Sequence, residues 1–92
     1  MLKITQSNRF KRDFRKLAHS DRFDLKHFHT VVNQLASGVG LASKYKDHRL
    51  KGELQEFREC HLEPDLLLIY SKEVEILTLL LFRIGSHTEL FD

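Results

Sequence analysis

Two apolar runs, Leu66-Leu67-Leu68-Ile69-Tyr70 and Val74 to Phe82, constrain this 92-residue chain more than any other feature. Short apolar runs bounded by turn residues are what strands buried on both faces leave in a sequence. Glu75 and Thr78 are the only polar interruptions of the second run, and Ser71 to Glu73 supplies a tight polar connection between the two. The pair therefore predicts a β-hairpin. Before it, Glu63-Pro64-Asp65 marks a turn, because proline fixes φ and cannot donate to a ladder. Leu54 to Leu62 has strand spacing through Leu54, Phe57 and Leu62, with imperfect alternation that suggests a bulge.

The first half reads as helix. Ser7 or Asn8 can cap a helix whose Phe10, Phe14 and Leu17 fall on one stripe at i, i+4 and i+7. Arg9, Lys11, Arg12, Arg15 and Lys16 fill the remaining arc, so its outer face is almost wholly basic. Ser20 or Asp21 can cap a second helix from about Arg22 to Ala36, with Leu25, Phe28, Val32 and Leu35 as its seam and Gly38 as its stop. His27 and His29 lie two apart on different faces, a spacing that does not make a helical metal pair. Val39 to Gly52 reads as a loop with at most a short strand near Arg49-Leu50-Lys51, and Leu2 to Thr5 as a short edge strand. Thr88 to Phe91 is a terminal turn or helix. The order is β-α-α-β-β-β: an α+β two-layer domain over residues 1–92, with an antiparallel sheet and a helical hairpin on one face.

Composition narrows the class. The single cysteine, Cys60, excludes an internal disulfide and a multi-cysteine zinc site and fits a reducing compartment. The start lacks the apolar core of a signal peptide, and no apolar run approaches a membrane span, so the expectation is a cytoplasmic protein. Residues 1–52 carry twelve Lys/Arg against four Asp/Glu, whereas residues 53–92 carry three against nine. A basic half of that kind suits a polyanionic partner such as nucleic acid, or simply a solvated pair of helices.

A meander would gather His61, Asp65, Arg83 and His87 at one end of the sheet, with His48 reaching in from the preceding loop. Imidazoles titrate near neutral pH and can serve as both acid and base. A guanidinium can hold phosphoryl oxygens on two N–H groups, and a carboxylate can orient an imidazole or act as base. Those groups suit phosphodiester cleavage by a ribose 2′-OH, with no metal or cofactor. They equally suit a capping pair at a turn and an arginine that holds the acidic half together.

The stretch Tyr45-Lys46-Asp47-His48-Arg49-Leu50-Lys51-Gly52, then Phe57-Arg58-Glu59-Cys60-His61-Leu62-Glu63-Pro64-Asp65, Leu68-Ile69-Tyr70 and the closing Arg83-Ile84-Gly85-Ser86-His87-Thr88-Glu89-Leu90-Phe91, resembles the YafQ branch of the RelE superfamily of bacterial toxins. The resemblance spans the chain and is specific from about Tyr45 onward. It implies a RelE-like fold and the toxin of a type II toxin–antitoxin pair, a ribosome-dependent mRNA endonuclease. It also implies a cognate antitoxin partner, the ribosome and mRNA as targets, and operator DNA met only through the antitoxin complex. Its catalytic positions fall on His48, His61, Asp65, Arg83 and His87, with His87 as leading acid/base group and Arg83 as transition-state stabiliser. Phe91 would position or stack on a base, while charge rather than motif assigns Lys44 and Lys46 to RNA. This chain departs from the pattern at Leu66, where an aromatic residue is common, at Arg49, where proline is familiar, and at its Phe91-Asp92 end. A ParE-like gyrase inhibitor of the same fold and a non-catalytic basic RNA-binding domain are the competing readings.

Overall fold

The computed structural model describes residues 1–21 and 23–91. Ser7 starts the first helix, α1 (Asn8–Ala18), by accepting the Phe10 N–H. Phe10 is fully buried, and Phe14 and Leu17 pack half-buried beside it, as the stripe predicts. The second helix, α2 (Leu25–Ser37), is capped by Asp24, whose carboxylate accepts the His27 N–H. The expected caps Ser20 and Asp21 lie further back, and Arg22, the expected first residue, lies outside the described residues, as does Asp92. Gly38 closes α2 at φ 83°, a left-handed conformation that a Cβ disfavours. The seam differs from the expected one at its start. Leu25, in the first turn, is 48% exposed, while Val31 and Ala36 join Phe28, Val32 and Leu35 in the core. Phe10, Phe14, Phe23 and Phe28 form an aromatic cluster with ring centroids 5.2–6.1 Å apart, which joins the two helices.

Five strands make one sheet in the order β1-β5-β4-β3-β2: β1 (Lys3–Gln6), β2 (His48–Arg49), β3 (Arg58–Glu63), β4 (Leu66–Glu73) and β5 (Thr78–Gly85). β1 runs parallel to β5, and the other pairs are antiparallel. A short helix, α3 (His87–Phe91), follows β5. β2 is thus two residues long and begins one residue before the expected strand, at His48 itself.

The central hairpin is confirmed with its turn displaced. Ser71 to Glu73 continue β4, paired with Leu80 to Thr78, and the chain reverses through Val74–Ile76 and Leu77 at φ 50°. Val74, Ile76 and Leu77 are 68, 64 and 61% exposed, so this stretch is apolar without being core. Apolar character alone cannot separate a buried strand from an exposed turn.

Cys60, Leu62, Leu68, Tyr70, Leu79, Leu81 and Ile84 face the helices and close the core. Two bulges interrupt the alternation: the β3–β4 register jumps between His61 and Glu63, and the β4–β5 register between Ile69 and Tyr70. The second leaves Phe82 as an extra residue on β5, which lets Leu81 and Ile84 share the core face although three apart. Glu59, Ile69 and Arg83 then form one cross-strand row and His61, Leu67 and Gly85 the next, both on the face away from the helical core.

Candidate active site

The site grows from the β3–β4 end of the sheet. His61 projects from β3 between two other imidazoles, with ring centroids 6.4 Å from His48 and 5.8 Å from His87. His48 is presented by β2 and by the loop before it. There Lys46 takes a left-handed φ of 49°, and its carbonyl accepts from His48 Nδ1 at 2.6 Å. A carbonyl only accepts, so Nδ1 carries the proton and Nε2 faces the site. Asp47, next to His48, anchors the loop by accepting the Tyr70 hydroxyl at 2.6 Å and Arg58 Nε at 3.3 Å. Burial, then the Asp47 carboxylate beside it, pushes the Tyr70 phenol well above its ordinary range.

Glu59 sits two residues before His61 on the same face of β3. It is 5% exposed, and its two oxygens lie 3.5 Å from His48 Nε2 and 3.5 Å from His61 Nε2. A buried carboxylate thus spans two of the imidazoles. On the far side, Asp65 in the β3–β4 turn accepts the His87 backbone N–H at 3.1 Å and lies 3.1 Å from His87 Nδ1. This grip fixes the ring and leaves Nε2 for chemistry. The hydrogen bonds from His87, backbone first, hold the exposed Asp65 carboxyl below its ordinary range. Phe91, 43% exposed, has its ring 6.3 Å from that of His87.

Lys44 and Lys46 line the rim of a cleft of about 750 Å³ that also contains His27, Tyr45, Pro64, His61 and His87. His27, whose spacing excludes a helical metal pair, is half-buried, with its ring 5.7 Å from Tyr45. The cleft runs from the start of α2 over the end of the sheet to α3. Lys44 and Lys46 and the carboxylates Asp24 and Glu63 line it together with three imidazoles.

Arg83 stands in the cross-strand row next to that of His61, and a partner from α1 holds one edge of its guanidinium. The arginine pairs with Ile69, two residues inside the Gly85 end of β5, and the partner from α1 is Asp13. Asp13 and Glu59 are the residues sequence reading misses. Glu59 was legible through period two, since it shares a strand face with His61. Asp13 had a weaker signal, as the only acid between Asn8 and Ala18.

Ligand atoms of Glu59, His61 and His87 lie within 4.8 Å of one another, close enough for one ion. Two imidazoles and a carboxylate suit a borderline transition metal such as zinc or copper.

A five-stranded sheet with one parallel edge, a helical hairpin on one face, and histidines at the opposite strand ends define a RelE-like toxin fold. The profile of the family described as "Bacterial toxin of type II toxin-antitoxin system, YafQ" matches residues 2–92, and the chain belongs to that family. The mRNA interferase toxin YafQ of Escherichia coli K12 is 35% identical over 91 residues, 96% of this chain and 94% of that protein. Among solved structures, the metal-bound toxin from Helicobacter pylori is 53% identical with a TM-score of 0.92, covering 99% of this chain and all of the other. The toxin in the Escherichia coli DinJ–YafQ complex is 31% identical with a TM-score of 0.85, and both chains are covered in full.

Proposed function

We propose that this chain, as one toxin domain, is an endoribonuclease that cuts mRNA on the translating ribosome, without a metal, and that a cognate antitoxin neutralises it in the cytoplasm. The observation that carries this reading is the row His48, His61, His87 with Glu59 and Asp65 at its flanks. One imidazole takes the proton of a ribose 2′-OH. The 2′-oxygen attacks phosphorus, the bond to the 5′-oxygen breaks, and a second imidazole protonates that leaving oxygen. The products are a 2′,3′-cyclic phosphate and a 5′-hydroxyl. Arg83 stabilises the charge that gathers on the phosphoryl oxygens. Asp65 orients His87, the Lys46 carbonyl sets the tautomer of His48, Glu59 stands ready to stabilise His48 or His61 when either carries a second proton, and Phe91 offers a face for a base to stack on.

The exposed Arg9, Lys11, Arg12, Arg15 and Lys16 on α1, with Lys44 and Lys46 at the cleft, supply the charge for ribosomal and messenger RNA. The antitoxin partnership draws support from the DinJ–YafQ complex of the Escherichia coli relative, and in this reading operator DNA is met only through the toxin–antitoxin complex. No helix among the described residues is long and apolar enough to cross a membrane. The Helicobacter pylori relative is metal-bound, and an ion on Glu59, His61 and His87 would occupy the lone pairs that proton transfer requires. Cleavage should therefore persist in a chelator and fall when zinc is added; loss of cleavage on chelation would sink the metal-independent reading.

The direct test is cleavage of mRNA on translating ribosomes by the wild type and by His87→Ala. His87→Ala should lose at least about a hundredfold in rate, the usual range for a general acid or base. Intact messages with the wild type, or equal cutting by His87→Ala, would overturn the assignment. Supercoiling inhibition with intact messages would put a gyrase inhibitor in its place.

A further inference from the structure

Beyond the histidine row, Arg83 sits in a second built arrangement, and the proposed chemistry leaves its partner Asp13 without a role. Asp13 accepts Arg83 Nε at 2.8 Å and the Ile84 backbone N–H at 3.1 Å on one oxygen, and Arg83 Nη2 at 2.9 Å on the other. Both side chains are mostly buried, Arg83 at 19% and Asp13 at 15% exposure.

The local backbone explains why a helix residue is there at all. β1 covers β5 only from Thr78 to Leu81. Beyond that point α1 takes over the open edge: Ser7 donates its hydroxyl to the Phe82 carbonyl, and Asp13 accepts from Ile84. The same stretch holds the bulge at Phe82 that re-aims the next residue, Arg83. One carboxylate therefore pins both the strand that carries Arg83 and the guanidinium itself.

A guanidinium has two edges that can grip an oxyanion, a side edge of Nε with one Nη and an end edge of both Nη. Asp13 fills the side edge. The end edge, through Nη1 and the second N–H of Nη2, has no protein partner among the described residues. We propose that Asp13 is a positioning residue, which by holding the side edge of Arg83 presents the end edge to the scissile phosphate. The inference rests on the reading of Arg83 as the phosphate-binding group.

Asp13→Asn is the informative variant, since its amide oxygen can still accept from Ile84 while the charge and one acceptor for Arg83 are lost. The full-length toxin is assayed in single turnover on saturating programmed ribosomes, as Asp13→Asn, Arg83→Ala and the double variant. Asp13→Asn should be about tenfold or more slower with ribosome affinity unchanged, since misplacing a charged group costs rate before binding. The double variant should be no slower than Arg83→Ala, because the carboxylate acts only through the arginine. An independent readout is the Arg83 Nε–H signal in an NMR spectrum. It should be protected from solvent exchange in the wild type and lose that protection in Asp13→Asn.

Arg83→Ala slowed with Asp13→Asn at the wild-type rate would overturn the positioning role alone. A double variant slower than Arg83→Ala would assign Asp13 to the fold instead, and a faster Asp13→Asn would make the pair an inhibitory latch. Full activity in Arg83→Ala would overturn the reading of Arg83 and the inference with it. An unprotected Nε–H in the wild type would show that the clamp does not form.

Discussion

Two carboxylates grip two residues near the end of β5, Arg83 within the strand and His87 at the start of α3, in opposite surroundings. Asp13 holds Arg83 within a mostly buried contact on three N–H groups, whereas Asp65 holds His87 in the open, with side chains 69 and 56% exposed. The difference matches the chemistry proposed for each. Arg83 keeps its charge throughout, so a mostly buried and rigid seat is compatible with its proposed role. His87 must gain and lose a proton in the proposed reaction, and its open seat leaves the ring accessible to substrate. A fixed cation is built into the fold, while a titrating group is hung on its edge.

The largest expected effect breaks the buried member. Asp13→Ala leaves both the Arg83 fork and the Ile84 N–H without their acceptor. It should cost about 2 kcal/mol, below the 3–5 kcal/mol of a fully buried pair because some solvent reaches the site. In a domain of this size that lowers Tm by roughly 10 °C. Asp65→Ala should leave the thermal melt unchanged and instead slow cleavage. If the two variants melt alike, the contrast between buried and open grips is wrong.

The contrast extends to pH. Burial raises the Asp13 carboxyl, but the hydrogen bonds from Arg83 and Ile84 and the charges of Arg83 and Arg9 outweigh it and hold the group below its ordinary range. A carboxyl lowered on folding contributes stability that is present above its unfolded pKa, about 4, and is lost as pH falls through the folded value. The stability gap between the wild type and Asp13→Asn should therefore be full at neutral pH and shrink below about pH 4. Denaturant melts across that range measure it, and a gap independent of pH would mean the pair carries no net charge effect. Cleavage should follow a different curve, bell-shaped around the histidine range near pH 6.5, because it tracks imidazoles rather than the clamp.

How much of this was legible follows the range of the signal. The caps at Ser7 and Gly38 and the Pro64 turn rest on local chemistry and appear where the residues place them, and the strand pair appears with its connection shifted. The turn through Val74–Leu77 did not show, because its aliphatic side chains imitate a strand and only the pairing of β4 with β5 fixes where β4 ends. His48, His61, His87 and Asp65 were readable as titratable residues near strand ends. Glu59 required the strand face, and Asp13 required knowing that β1 stops at Gln6 and leaves the β5 edge to α1. The long-range partner, with Asp13 and Arg83 70 positions apart, is what a single sequence conceals.

A smaller effect tests the loop that carries His48. Tyr70 is fully buried and gives its hydroxyl to Asp47, and Arg58 shares the same oxygen. Tyr70→Phe removes one of these donors and keeps the ring. It should cost about 1 kcal/mol, as for a single hydrogen bond. Cleavage should drop more than the melt implies, since the loop presents an acid/base candidate. An unchanged rate would mean that Lys46 and Glu59 alone hold His48 in place.

The smallest effect asks whether Asp65 alone seats His87 or whether α3 helps. A Cβ on Gly85 would lie 3.1 Å from Glu89 Oε1 and 3.2 Å from Leu90 Cδ2, both at the ends of flexible side chains. Gly85→Ala should then cost under about 1 kcal/mol, because those atoms can give by a few tenths of an ångström. Glu89 Oε1, however, accepts the Ser86 N–H at 2.9 Å, so displacing it loosens the junction from β5 into α3 just before His87. If α3 shares in seating the imidazole, Gly85→Ala slows cleavage severalfold with almost no loss of Tm, and adding Asp65→Ala compounds the defect. If Asp65 suffices, Gly85→Ala cuts at the wild-type rate, and the open grip on His87 reduces to one carboxylate.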